Sequence, residues 1–220
     1  MIQKQIDEFR EKIKSVYNDN SVVTDGIIDL DAFNNSTSKI LWILKEPYGA
    51  GAFDYSNYLK DFKFGESFPT SGNMWSKMIY TTYGILNDFE LWNDIGDLKK
   101  YRDVFDARLS FALINLKKIP GFTESTDNEI ISSYQEYKDL IHEQIEFINP
   151  DIIICGSTLK FLDFDINRTN PLCAGDLKGY IFQNRLFIDA YHPSFPGIKH
   201  ENYGNEIITI CSKYFSLLHV

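Results

Sequence analysis

Four places in this 220-residue chain carry groups suited to acid–base and leaving-group chemistry. They are a carboxylate at Glu46, a carboxamide at Asn115, the pair Gly156-Ser157, and an imidazole at His192 with Ser194 two residues on. Each stands at or just beyond the end of a short apolar run, at 40–44, 111–116, 152–155 and 186–190. A carboxylate can stabilise a developing cation or orient an attacking water, and an imidazole can donate to a departing anion. A carboxamide offers a donor and an acceptor in one group. Taken singly, each has an ordinary reading: Glu46 before Pro47 as a solvated turn residue, Asn115 as a strand-end residue, His192-Pro193 as a structural turn. Their coincidence at four strand ends makes them candidates.

The elements that must position them follow from the hydrophobic pattern. Short continuous apolar runs mark strands buried on both faces, which is the habit of parallel sheets. Between them lie helical patterns. Ile2, Ile6, Phe9, Ile13 and Val16 fall at spacings of four and three, and a helix over 74–83 buries Trp75, Met78 and Ile79. Thr126-x-x-Glu129 reads as a capping box opening a helix that runs to Ile148, where Asn149-Pro150 stops it. Ser157 is placed to cap a short helix through Phe161, two strands flank Gln183-Asn184-Arg185, and a last helix spans 202–218. Residues 18–38 read as a polar, acidic, irregular lead-in, and 50–72 as a long Gly- and aromatic-rich loop. The alternation predicts a three-layer α/β/α sandwich with a mainly parallel central sheet. It makes one domain of residues 1–220, with 1–38 as N-terminal helix and lead-in. Ligands of such sheets sit beyond the carboxyl ends of the strands. Parallel pairing would therefore gather Glu46, Asn115, Ser157 and His192 around one cleft, with loop aromatics Phe62, Phe64 and Phe68 available to wall it or to serve as core.

These blocks, in order, resemble the uracil-DNA glycosylase superfamily. Leu44-Lys45-Glu46-Pro47-Tyr48 looks like its first motif, Leu113-Ile114-Asn115-Leu116 its strand ending in the base-reading Asn, and residues 152–157 a later strand ending in Gly. His192-Pro193-Ser194-Phe195-Pro196 is similar to its His-Pro-Ser-Pro motif, and the blocks span 38–218. The resemblance implies hydrolysis of the N-glycosidic bond of uracil or a related deaminated base in DNA. It casts Glu46 and His192 as catalytic, and Lys45, Tyr48, Phe64, Phe68, Asn115 and Ser194 as substrate-binding. Asn115 would match the edge of uracil, Phe64 or Phe68 would stack on the flipped base, and Tyr48 would crowd out a thymine methyl. The motif's usual Gly-Gln is here Leu44-Lys45, its Asp is Glu46, and Phe195-Pro196-Gly197 replaces the usual wedge. The branches with an iron–sulfur cluster need four cysteines, and this chain has three. A divergent branch with no cofactor and no metal is what the resemblance leaves.

Charge weighs on the other side. Against 22 basic residues stand 31 acidic ones, a formal net charge of -9, which excludes indiscriminate coating of phosphate backbones. Lys45, Lys117, Lys118 and Lys199 lie beside the motifs and form the candidate basic strip for DNA. The three cysteines show no C-x-x-C pair, so no disulfide framework is expected, and Cys155 reads as a small buried hydrophobe. No apolar run approaches the roughly 20 residues of a bilayer span, and residues 1–8 lack an apolar signal core, so a cytoplasmic monomer without membrane contact is expected. Two rivals stand beside the glycosylase reading. One is a member of the same fold that binds nucleic acid or a small nucleoside-like ligand without cleaving it. The other is a Gly-Asp-Ser-Leu type hydrolase, suggested by the spacing of Asp189 and His192 but lacking a nucleophilic Ser after the first strand. A metal site on Asp25, Asp29 and Asp31 is disfavoured, because an acidic segment is ordinarily a solvated loop.

Overall fold

The computed structural model describes residues 2–49, 51–66, 72–121 and 126–218. In chain order the elements begin α1 (Ile2–Tyr17), β1 (Gly26–Ile27), α2 (Leu30–Asn35), β2 (Ile40–Leu44) and α3 (Tyr55–Lys60). There follow α4 (Gly72–Leu86), α5 (Arg102–Asp106), β3 (Phe111–Asn115), α6 (Asp127–Ile148) and β4 (Ile152–Gly156). The chain closes with β5 (Leu172–Ala174), β6 (Leu177–Phe182), β7 (Arg185–Ala190) and α7 (His200–Leu218). The seven strands form one sheet in the order β1-β3-β2-β4-β7-β6-β5.

The four predicted strands are its centre, and β3, β2, β4 and β7 pair in parallel. The expectation of a mainly parallel sheet needs correction. β1 joins β3, β6 joins β7 and β5 joins β6, all antiparallel, so half of the six pairings are antiparallel and the sheet is mixed. The parallel core requires both faces to be covered, and they are. Along β2, Ile40, Trp42 and Leu44 enter one core with Trp75, Met78 and Ile79 of α4 and Ile207, Ile208 and Cys211 of α7. Leu41 and Ile43 enter a second core with Ile130, Ile141 and Ile145 of α6, Phe33 of α2 and Ile6 of α1. Every β2 residue is thus buried whichever face it meets, which is why the strand reads as an unbroken apolar run.

Residues 18–38 are not the solvated lead-in expected from their polarity. Val22, Val23, Thr24, Asp25, Ile27, Ile28 and Phe33 are all buried, and the segment supplies β1 and α2. It is sewn in by backbone bonds from Val23 N–H to the Lys118 carbonyl (2.9 Å) and from Thr24 N–H to the Phe53 carbonyl (3.0 Å). The loop after β2 likewise contains α3, capped by Asp54. The capping box at Thr126 and Glu129 is present, and α6 ends at Asn149 in the left-handed conformation. Among the described residues, no helix is long and apolar enough to cross a membrane.

The strand order contains a switch point. From β2 the chain crosses to β3 on one side, and from β4 it proceeds to β7 on the other. Neighbouring strands whose connections diverge leave a gap at their carboxyl ends. That gap lies between Lys45-Glu46 and Gly156-Ser157.

Candidate active site

Pairing continues past the strand ends and so fixes the backbone of the site. Leu116 N–H donates to the Leu44 carbonyl and Lys117 N–H to the Lys45 carbonyl, both at 3.0 Å. Gly121 N–H donates to the Pro47 carbonyl at 3.0 Å. On the other flank Ser157 N–H reaches the Ala190 carbonyl at 2.7 Å, and the buried Thr158 hydroxyl reaches the Ile43 carbonyl at 2.8 Å.

On these rails Glu46 points across to β3's continuation, where Lys117 Nζ lies 2.6 Å from its Oε2. Its carboxyl group lies flat on Gly121. A Cβ there would come within 2.3 to 2.7 Å of Oε1, Cδ and Oε2, so only glycine admits this placement. Lys45 is held by Asp127 at the start of α6 (3.3 Å), which Lys160 also engages.

His192 is fixed from three directions. Its own N–H donates to Ser157 Oγ at 2.9 Å, and Ser157 holds that position in a left-handed conformation, φ +59°. Gly156 packs so closely on Leu44 and Pro193 that a Cβ would meet them at 2.7 and 3.1 Å. Ser194 closes back on the ring, its N–H 3.2 Å and its Oγ 2.7 Å from Nδ1. A backbone N–H can only donate, so Nδ1 accepts and the ring proton sits on Nε2. Burial first, then the positive charges of Lys45 and Lys77, push the His192 pKa down to about 4. The ring is therefore a neutral donor through Nε2–H near pH 7. Lys77, on α4 and only 2% exposed, clamps this loop by donating to the Phe195 carbonyl at 2.8 Å, and its ammonium lies 5.1 Å from the Tyr203 ring centre.

Asn115 is 0% exposed and sits in a buried polar cluster. Its backbone N–H donates to Asp25 Oδ2 at 2.8 Å. Asp25 Oδ1 in turn accepts from Lys118 Nζ (2.6 Å) and Gln144 Nε2 (2.9 Å). Gly26, at φ +130°, makes the turn that sends Asp25 inward and lets α6 approach, with Gln144 Nε2 only 3.5 Å from where a Cβ would stand.

The structure brings Glu46, Lys45, Asn115, His192 and Ser194 to one edge of the sheet. Three expectations fail. Phe64 does not reach that edge. The helix α3 leads from Tyr55, beside Asn115, to Leu59, whose carbonyl accepts from Arg108 just before β3 begins, so the loop beyond it leaves by the opposite end of the sheet. There Phe64 packs edge-on to Phe105 (5.6 Å) under Arg102. Tyr48 is 70% exposed instead of walling the cleft. The basic strip is largely spent internally: Lys45 on Asp127, Lys117 on Glu46, and Lys118 wholly buried on Asp25, leaving Lys199 exposed. Phe68 lies outside the described residues.

No protein-family model matches the chain, and no curated protein is similar enough to count as a relative.

Sequence reasoning passed over Gln144 and Lys77, and put Asp25 in a solvated acidic segment and Lys118 in a surface strip although both are buried. A signal for Asp25 was available, since it interrupts the apolar stretch Val22-Val23-Thr24-Asp25-Gly26-Ile27-Ile28. Asp29 is no metal candidate either: it caps α2 through Ala32 N–H and pairs with Lys60.

Proposed function

We propose that this protein hydrolyses the N-glycosidic bond of uracil or a related deaminated base. The observation that carries the reading is His192, a neutral imidazole with Nδ1 engaged by Ser194 and Nε2–H left as the donor, at the strand ends that also carry Glu46. Glycosidic cleavage puts positive charge on the sugar and negative charge on the departing base. Glu46, paired with Lys117, suits the first charge and can orient the attacking water. Water oxygen bonds to the anomeric carbon as the bond to the base nitrogen breaks, and the water's proton passes to the Glu46 carboxylate, which later returns it to solvent. The base leaves as an anion whose oxygen accepts from Nε2–H, in a field made positive by Lys45 and Lys77. A neutral donor does this without giving up its proton, and solvent protonates the freed base.

The cations beside the cleft favour a second reading of the substrate. Because Lys45, Lys117 and Lys118 are already matched by carboxylates, a nucleoside-sized substrate fits the charge balance better than a long duplex. One panel separates them: oligonucleotides carrying uracil, hypoxanthine or xanthine at low salt, the corresponding free nucleosides, and the variants Glu46→Gln and His192→Ala. Release of base from DNA that both variants abolish supports the glycosylase. Release from nucleosides alone supports the smaller substrate, and unimpaired release by the variants removes the site assignment.

A further inference from the structure

A cleft of about 470 Å³, within the range of small-molecule sites, opens between the end of α1, the chain after β3 and the first half of α6. Lys117, the partner of Glu46, borders it, but no other residue of the candidate active site lines it. Tyr17 and Tyr137 line it as a stacked pair, ring centres 3.8 Å apart, where α6 departs from helical geometry (Tyr137 φ −111°, ψ 17°).

Tyr17 is only 7% exposed, and its buried hydroxyl makes no hydrogen bond of good geometry. Ser133 and the Lys118 backbone adjoin it, but Ser133 gives its own proton to the Leu116 carbonyl, at 3.5 Å. Burial, then the charge of Asp25, raises the Tyr17 pKa, so the hydroxyl keeps its proton near neutral pH. A buried donor left unpaired is costly, and native proteins satisfy such groups with protein, water or ligand. Carboxylates surround the same space. Among the described residues, Asp19 spends only Oδ1, on Ser21, and Glu129 only Oε2, on Thr126. Glu136, beside the Tyr137 hydroxyl, is the third. Against these three stands one ammonium, Lys117, whose charge Glu46 already meets at 2.6 Å. The cleft therefore calls for a cation, and the Tyr17 proton calls for an oxygen acceptor beside it.

We propose that this cleft is a binding site for a small hydroxylated organic cation, an amino sugar or amino alcohol, whose ammonium is drawn by the three carboxylates and whose oxygen takes the Tyr17 proton. Charge-assisted hydrogen bonds are about twice as strong as neutral ones, so the ammonium sets affinity and the Tyr17 contact sets orientation. The inference does not rest on the glycosylase reading, and either can fail alone.

The test uses the full-length protein at about pH 6, where carboxylates are charged, with the Tyr17 and Tyr137 ring signals followed by NMR. Three probes divide the claim: glucosamine carries both features, glucose lacks the cation, and cyclohexylamine lacks the oxygens. Glucosamine is expected to shift both rings and to bind about fivefold or more tightly than either of the others. No shift with glucosamine, or equal binding of all three, overturns the proposal. Tyr17→Phe is expected to keep or raise its urea midpoint, because it deletes an unpaired hydroxyl, and to bind glucosamine no better than cyclohexylamine, read at Tyr137. A destabilised Tyr17→Phe means that the hydroxyl is paired within the fold, and overturns the proposal. Asp19→Asn/Glu136→Gln, which changes two exposed side chains, is expected to narrow the preference for glucosamine over glucose. An unchanged preference there likewise overturns it.

Discussion

Protonating His192 should destabilise the protein over a defined pH window. In the unfolded chain its pKa returns to the ordinary value near 6.5, while in the fold it is about 4. Between those values the unfolded state binds more protons, so stability rises with pH across the window. The contribution is complete above about pH 6.5 and lost as pH falls to about 4. The displacement corresponds to at most about 3 kcal/mol, with a slope no steeper than about 1.4 kcal/mol per pH unit. Carboxylates such as Asp54 and Asp163, whose pKa values are lowered, also cost stability in acid, so the effect must be isolated by difference. His192→Gln keeps those groups and deletes the imidazole. Urea unfolding of both proteins from about pH 4 to 7.5 should therefore show a stability difference that changes by about 3 kcal/mol across the series. A parallel NMR titration should find the ring still neutral at pH 5. A difference independent of pH, or a ring that titrates near its ordinary value, would refute both the burial and the neutral-donor reading built on it.

Gly121→Ala should leave the thermal midpoint nearly unchanged but displace the Glu46 carboxyl group by about 1 Å, costing on the order of a hundredfold in any Glu46-dependent rate; steady-state kinetics beside a melting curve check this. Lys77→Met removes one of the two cations facing His192, so the ring's pKa should rise part of the way towards its ordinary value by NMR, with burial and Lys45 still opposing it. Thr126→Ala breaks the capping box of α6 and should lower stability by about 1 kcal/mol in urea unfolding.

The central sheet was legible because burial on both faces leaves a plain mark, an apolar run with no alternation, at Ile40–Leu44 and at the three other strands of the parallel core. The capping box announced the start of α6 for the same reason: its chemistry is local. What could not be read was any residue whose partner is distant in sequence. Asp25 and Lys118 look like surface charges until the fold sets them 2.6 Å apart, and the segment around Asp25 looks polar although it lies under α6. Phe64 was misread because aromatics in a loop carry no sign of which end of the sheet the loop leaves by. The edge strands β1 and β5, of two and three residues, are too short for a periodic signal.

The strand order also sets a schedule for synthesis. β2 pairs with β3 and β4, and the partner of Ile40 on β4 is Ile152, about 110 residues later. At the usual pace of translation, about 5–20 residues per second, the Ile40-Leu41-Trp42-Ile43-Leu44 segment waits several seconds after leaving the ribosome for its second neighbour. Until then one edge of the most apolar strand is open, which is the condition under which nascent chains stick to one another. A chain truncated at Pro150 should therefore accumulate in the insoluble fraction or on chaperones, and a chain ending at Val220 should not.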